Sequence, residues 1–328
     1  MLIVIHRLTP LLTLLLWLPA FKVMALSFPL PENGNDLVGE TRTVKTVYED
    51  TFSDIARLHD LGYLDLTDAN PEVDPWLPGE GTEIILPTRF ILPPEPREGI
   101  VINLAELRLY YYPKGESRVI THPLGIGREG WSTPTGTGRV IRKQANPTWY
   151  PPESIRAEHA TDGDPLPAAV KPGPDNPLGK YALYLSLTGY LIHGTHKPYG
   201  VGMRVSHGCI RLYPEDIDRL FSQVPVGTPV RIINEPYKAG WKDGQLYVEA
   251  HPPLSEQLKE KGINFTPMVQ AIIKALGDSP MKPDWAGMKN AALNQRGVPV
   301  PITAIQAEPN PSQQDNIALS DEADSPGR

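Results

Sequence analysis

Thirty-seven prolines and 28 glycines spread along 328 residues leave little room for long helices. Each proline removes a backbone donor and clashes with the preceding helical turn, and each glycine carries a large ordering cost. The runs between them are short, and many alternate apolar and polar residues with the period of a strand. The chain therefore reads as mainly β. Its 40% hydrophobic and 21% charged residues are those of a globular protein, and its length suffices for two cores. With one cysteine, Cys209, the fold must stand without an internal disulfide.

Residues 1–25 have the pattern of a cleaved signal peptide. Arg7 supplies the positive start, Leu8 to Leu18 the apolar centre, and Val23-Met24-Ala25 the small residues before cleavage. Pro10 and Pro19 interrupt the apolar run, which is short for a membrane span. The expected destination is an oxidising, extracytoplasmic compartment, where an unpaired thiol needs a chemical reason to exist. The formal net charge of -7 becomes -9 once Arg7 and Lys22 leave, which disfavours a nucleic-acid partner. Arg97 to Asn234, by contrast, carries 16 Lys+Arg against 12 Asp+Glu, a balance suited to a substrate bearing carboxylates.

After a loose Pro/Gly/Asn stretch, Thr43 to Val47 alternates like a strand, and Thr51-Phe52-Ser53-Asp54 has the capping pattern that opens a helix. A second short helix is expected around Leu64 to Ala69, and Glu83 to Pro87 as a closing strand, giving a β-α-α-β unit over residues 40–88. This unit resembles a LysM domain, through Val47-Tyr48-Glu49-Asp50-Thr51, Ile55-Ala56, Ala69-Asn70-Pro71, Leu77-Pro78-Gly79 and Ile84-Ile85-Leu86-Pro87. The resemblance implies binding to the N-acetylglucosamine-containing glycan of peptidoglycan or chitin; a plain spacer is the alternative.

Ile91 to Pro96 is proline-rich and reads as a semi-rigid linker crossed by few contacts. Beyond it, residues 97–234 form a strand-rich domain, with strands expected at 100–103, 107–112, 118–125, 137–142, 181–187, 190–193 and 230–233. One helix is expected from Pro214 to Phe221, with proline in its first turn and Glu215 and Asp216 favouring its dipole. Asn146 to Lys180 reads as a long loop, a lid or a passive surface segment. Residues 235–307 form a C-terminal extension with an amphipathic stretch at Met268 to Leu276, and 308–328 an acidic, disordered tail.

Free cysteine is only a few per cent thiolate at neutral pH, so a nucleophile needs a base or a favourable field nearby. Two histidines are candidates. His207 lies two residues before Cys209, on the same face if the backbone is extended. His193 lies sixteen residues upstream at a strand end. Taken with His196, these residues could instead be four zinc ligands, but the spacing fits no common zinc pattern.

His193-Gly194-Thr195 followed by Ser206-His207-Gly208-Cys209 is similar to the signature of the YkuD-type L,D-transpeptidases. Supporting segments are Pro123 to Gly127, Thr133 to Gly136, Pro174 to Gly179 and Tyr190 to Thr195. The resemblance implies a β-sandwich-like catalytic domain with Cys209 as nucleophile and His193 as proton donor and acceptor. Gly194 would orient the imidazole through its carbonyl, and backbone N–H groups around His207, Gly208 and Cys209 would hold the oxyanion. Ser206, Arg211 and Thr195 would bind substrate. The implied reaction releases D-alanine from a tetrapeptide stem of peptidoglycan and transfers the acyl group to an amine in the periplasm. That amine would be a diaminopimelate or the lysine of an outer-membrane lipoprotein, the latter suggested by the order of the three parts. Transfer to water, or a non-enzymatic wall-binding role, are the alternatives. Thiolate, imidazole and backbone dipoles suffice, so neither an organic cofactor nor a metal is expected.

Overall fold

A computed structural model describes residues 25–32, 34–262 and 264–303. The leader up to Met24 and the tail from residue 308 lie outside the described residues. The N-terminal part contains β1 (Leu26–Pro29), β2 (Leu37–Gly39), β3 (Arg42–Lys45), α1 (Phe52–Leu58), α2 (Tyr63–Ala69), β4 (Glu83–Leu86) and β5 (Arg89–Ile91). Thr51 caps α1 as its position suggested, its Oγ1 accepting from the Asp54 N–H at 3.3 Å. β3 and β4 pair antiparallel around the two helices, so the β-α-α-β order holds.

The central part contains β6 (Gly99–Asn103), β7 (Arg108–Tyr112), β8 (Arg118–Pro123), β9 (Ile126–Gly127), β10 (Gly136–Ala145), α3 (Glu153–Thr161), β11 (Tyr181–Leu185), β12 (Leu191–His193), β13 (Arg204–Ser206), β14 (Ile210–Arg211), α4 (Pro214–Gln223) and β15 (Pro229–Ile233). Nine strands make one sheet in the order β1-β8-β7-β6-β15-β10-β11-β12-β14, and β13 pairs with β9. The sheet curls until its two ends share a core, with Ile100, Leu109 and Ile120 packed with Val140, Leu183, Ile192 and Ile210. Ile217 and Leu220 of α4, with Val224 just after it, fill the same core. The protein is mainly β and sandwich-like, as expected from its sequence.

Three expectations change. The loose stretch after the leader contains β1, which pairs with β8, so the nine-stranded sheet draws on chain outside residues 97–234. The proline-rich joint is packed: Ile91 and Leu92 are buried, and the Ile91 N–H donates to Glu249 at 2.6 Å. The Asn146 to Lys180 excursion is not irregular throughout, because it carries α3. β6, β7 and β8 are buried on both faces; Val101, Tyr110, Tyr112 and Val119 pack outward against Phe52, Leu61, Leu66 and Ile84 of the N-terminal unit.

The C-terminal extension contains β16 (Tyr237–Lys242), β17 (Gln245–Ala250), α5 (Ser255–Lys261), α6 (Thr266–Leu276), α7 (Trp285–Asn294) and β18 (Val300–Pro301). It has its own small core, in which Leu246 and Val248 meet Met268, Ile272 and Ala292. A buried ion cluster joins it to the sheet, with Lys238 Nζ at 2.9 Å from Glu106 and 3.0 Å from Glu249. Among the described residues, no helix is long and apolar enough to cross a membrane.

Candidate active site

β12 and β14 run parallel with Ile192 opposite Ile210 and His193 opposite Arg211. Strand alternation sends Ile192 and Ile210 into the core and turns Leu191, His193, Cys209 and Arg211 toward one cleft. The cleft has a volume of ≈ 750 Å³. Trp149, Tyr150 and Ile155 of the Asn146–Lys180 excursion line it, together with Tyr184, Tyr190, Ser206 and His207. The excursion thus forms a wall of the cleft rather than a detached surface loop.

His193 is buried, and its Nδ1 lies 2.6 Å from the carbonyl oxygen of Gly194. A carbonyl can only accept, so Nδ1 carries the proton and Nε2 presents its lone pair. Burial, with the Arg211 guanidinium beside it, lowers the imidazole to about 3, leaving it neutral near pH 7. Burial also pushes the Cys209 thiol up, opposed by the main chain of Leu191 and the charge of Arg211. The resting pair is therefore a neutral thiol and a neutral base rather than a preformed ion pair.

The turn carrying the thiol is held from inside. Ser206 Oγ donates to the Cys209 carbonyl at 2.6 Å and accepts from the Gly208 N–H at 3.1 Å. The serine hydroxyl is thus committed to the turn, and so is the N–H of Gly208, which the family resemblance assigns to an oxyanion. The Cys209 N–H has no acceptor among the described residues. Gly208 adopts φ +102°, where a side chain is strained and a Cβ would stand 3.1 Å from Tyr190. This break also means that His207 and Cys209 do not share a face by strand alternation. Thr133 braces the same turn, donating to the Gly208 carbonyl at 2.8 Å.

His207 turns toward the excursion. Its Nε2 lies 2.7 Å from Glu158 on α3 and 3.2 Å from Arg128, and its ring stands edge-on to Trp131 at 4.9 Å. Arg128 and Glu158 also pair directly. Glu158, Arg128 and Trp131 were not singled out from sequence; no local pattern ties α3 to a turn some fifty residues away. Thr195, expected to bind substrate, lies outside this cleft. It lines a neighbouring hollow with His196, and its Oγ1 accepts from the Lys197 N–H at 3.0 Å. Arg211 and Arg142 are charged lining residues of the cleft, and among the described residues no acidic side chain lines it. Arg211 Nε is buried without a partner.

The curled β-sheet thus brings a free thiol and a neutral, oriented imidazole into one aromatic cleft. The YkuD family, described as the L,D-transpeptidase catalytic domain, matches residues 97–232. The chain is 44% identical over 284 residues to the Escherichia coli K12 protein "Probable L,D-transpeptidase YbiS", spanning 84% of this chain and 92% of that one. It is 41% identical over 309 residues to the Salmonella typhimurium protein "Probable L,D-transpeptidase ErfK/SrfK", spanning 91% and 98%. A crystallised L,D-transpeptidase of Enterococcus faecium aligns over 46% of this chain and 55% of that one, at 22% identity and a TM-score of 0.32. The chain belongs to the L,D-transpeptidase family.

Proposed function

We propose that this L,D-transpeptidase works in the periplasm on peptidoglycan stem peptides, through a thioester on Cys209. The observation that carries the reading is the β12–β14 register, which turns the free thiol and His193 into the same cleft. Cys209 Sγ attacks the carbonyl carbon of the third stem residue while its proton passes to His193 Nε2. The bond to the terminal D-alanine breaks, the imidazolium returns the proton to the departing amine, and a thioester remains. An acceptor amine then attacks the thioester, its proton passes to His193 and on to the sulfur, and the thiol is restored. With the Gly208 N–H bound to Ser206, the N–H of Cys209 is the main-chain donor assigned to the oxyanion. Two arginines and no carboxylate in the lining favour a substrate rich in carboxylates.

The acceptor is a diaminopimelate side chain, giving a 3-3 cross-link, or the C-terminal lysine of an outer-membrane lipoprotein, giving a covalent anchor. Mature enzyme incubated with tetrapeptide muropeptides, with and without a lipoprotein C-terminal peptide, should lose D-alanine and gain the mass of one acceptor. Loss of D-alanine to water alone would make the enzyme an L,D-carboxypeptidase. A carbapenem should add its mass to the wild type and not to Cys209→Ala; equal labelling would remove Cys209 from the mechanism.

Residues 40–88 serve, in this reading, as a LysM module that holds the enzyme on glycan. Tyr48 and Trp76 are exposed at 80% and 60% on neighbouring loops, which the Phe52 N–H to Pro75 carbonyl bond draws together. Such aromatics suit the flat face of a sugar. Tyr48→Ala with Trp76→Ala should weaken sedimentation with sacculi about tenfold while carbapenem acylation is unchanged. Undiminished sedimentation would make the unit a structural spacer.

A further inference from the structure

Behind the cleft, where the N-terminal unit meets the sheet, three titratable side chains converge. Asp60 follows α1, His122 lies on β8 and Asp216 is in the first turn of α4; all three are at most 1% exposed. One ligand atom from each lies within 4.8 Å of the others. His122 Nδ1 is 3.3 Å from Asp216 Oδ1 yet makes no hydrogen bond to it. Nδ1, Asp60 Oδ1 and Asp216 Oδ2 are each buried without a partner. Apart from the hydrogen bond that a protonated Asp60 can give Asp216, these three atoms are unsatisfied among the described residues, in an interior where polar atoms are almost always satisfied.

The surroundings satisfy only the outer atoms of this group. The Leu26 N–H donates to Asp60 Oδ2 at 2.8 Å, and Arg219 reaches Asp216 Oδ1 at 3.4 Å. Burial and the mutual repulsion of the two carboxyls push Asp60 up, burial lifts Asp216 to about 7, and burial lowers His122 to about 4, which leaves its lone pair free. The other buried cluster of this kind, Glu106, Glu249 and His251, is complete: Lys238 stands between its carboxylates, and His251 Nε2 lies 2.7 Å from Glu249. The Asp60 cluster has Arg219 beside Asp216 and the charge of the buried Arg108 nearby, but no cation is bonded to Asp60 or His122 among the described residues.

We propose that Asp60, His122 and Asp216 bind one divalent transition-metal ion, of the zinc type. One neutral imidazole and two carboxylates form a nitrogen and oxygen set of net charge −2, matched to a dication. Zinc takes such ligands at about 2.0–2.2 Å, which places tetrahedral neighbours about 3.3 Å apart, the separation already present between His122 Nδ1 and Asp216 Oδ1, the oxygen that Arg219 also approaches. Asp60 comes from the N-terminal unit, and His122 and Asp216 come from the catalytic fold. The ion would therefore be a structural staple between the two, apart from the transfer chemistry at Cys209.

The test uses the mature chain in a Cys209→Ala background, so that the free thiol cannot capture metal. Protein equilibrated with ZnCl2 and gel-filtered should retain one equivalent of zinc by elemental analysis. X-ray absorption should place one nitrogen-type and two oxygen-type protein ligands at about 2.0–2.2 Å. Free ZnCl2 at a hundredfold excess over Kd should raise the melting midpoint by about 5 °C. The near-isosteric Asp60→Asn should drop retention below about a tenth of an equivalent and abolish the midpoint shift. Failure to retain zinc, cobalt or manganese in the wild-type cluster would overturn the proposal and leave a proton shared between Asp60 and Asp216. Undiminished retention in Asp60→Asn, or absorption spectra lacking oxygen ligands, would overturn it as well.

Discussion

At the scale of single residues, the cleft works through charge states that burial selects. A histidine with a lowered pKa stays unprotonated as the pH falls, so His193 remains a base down to about pH 3 rather than losing that role near 6.5. Stopped-flow carbapenem acylation should therefore show no histidine-linked decline between pH 7 and about 5, and should climb at alkaline pH as the thiol ionises. A decline centred near 6–7 would contradict the buried, neutral base. Arg211 lowers both groups, so Arg211→Gln should move the acid limb upward and also push the thiol ionisation higher. His193→Ala should cost about 10²-fold or more in acylation rate, the ordinary worth of a positioned base. The residue pair was legible because chemistry-bearing side chains sit next to glycines at a recognisable spacing. The commitment of Ser206 Oγ and the Gly208 N–H to the turn was not, since it follows from a positive φ that only the closed loop displays.

At the scale of elements, the alternating strands and α4 were readable because their burial pattern repeats along the chain itself. β1 and α3 were not. β1 is four residues long and has no meaning apart from β8, its partner about ninety residues away. α3 buries only Ile155, and its anchorage is polar and distant, through Glu158 to His207 and Arg128. Glu158→Ala should release this helix from the catalytic turn. Hydrogen exchange over Glu153–Thr161 should quicken, and KM for a tetrapeptide donor should rise about three- to tenfold with a smaller change in kcat. Unchanged exchange would mean that the helix is held by its apolar contacts alone.

At the scale of the whole molecule, the three parts are packed into one body rather than strung on a linker. Arg108, 1% exposed, spans the first boundary by pairing with Asp65 at 2.7 Å. Arg108→Ala would remove the counter-charge of the largely covered Asp65 carboxylate and should cost about 3 kcal/mol of stability, measured by denaturant unfolding. A chain begun at Arg97 would bare Val101, Tyr110, Tyr112 and Val119, and should give aggregated protein or a much lower melting midpoint. Asp68 lies in a cavity of ≈ 160 Å³ where the three parts meet, and burial raises it to about 6. The folded state holds this proton more tightly than the unfolded chain, so the associated stability is present below about pH 4 and lost as pH rises through 6. Asp68→Asn should raise the melting midpoint at pH 8 by about 3–6 °C and leave it unchanged at pH 3.5.

The sequence by itself determined the class of fold and the β-α-α-β unit, and it singled out the thiol and the histidine proposed to act with it. All of these are written in local periodicity, in turn residues and in short motifs whose members lie within some twenty residues of one another. Tertiary structure alone decided which face of β6–β8 the N-terminal unit covers, how α3 is tied to His207, why Thr195 misses the cleft, and which buried carboxylates acquire a counter-charge. Those outcomes depend on desolvation and on pairings between distant segments. Neither quantity has a value until the chain has closed on itself.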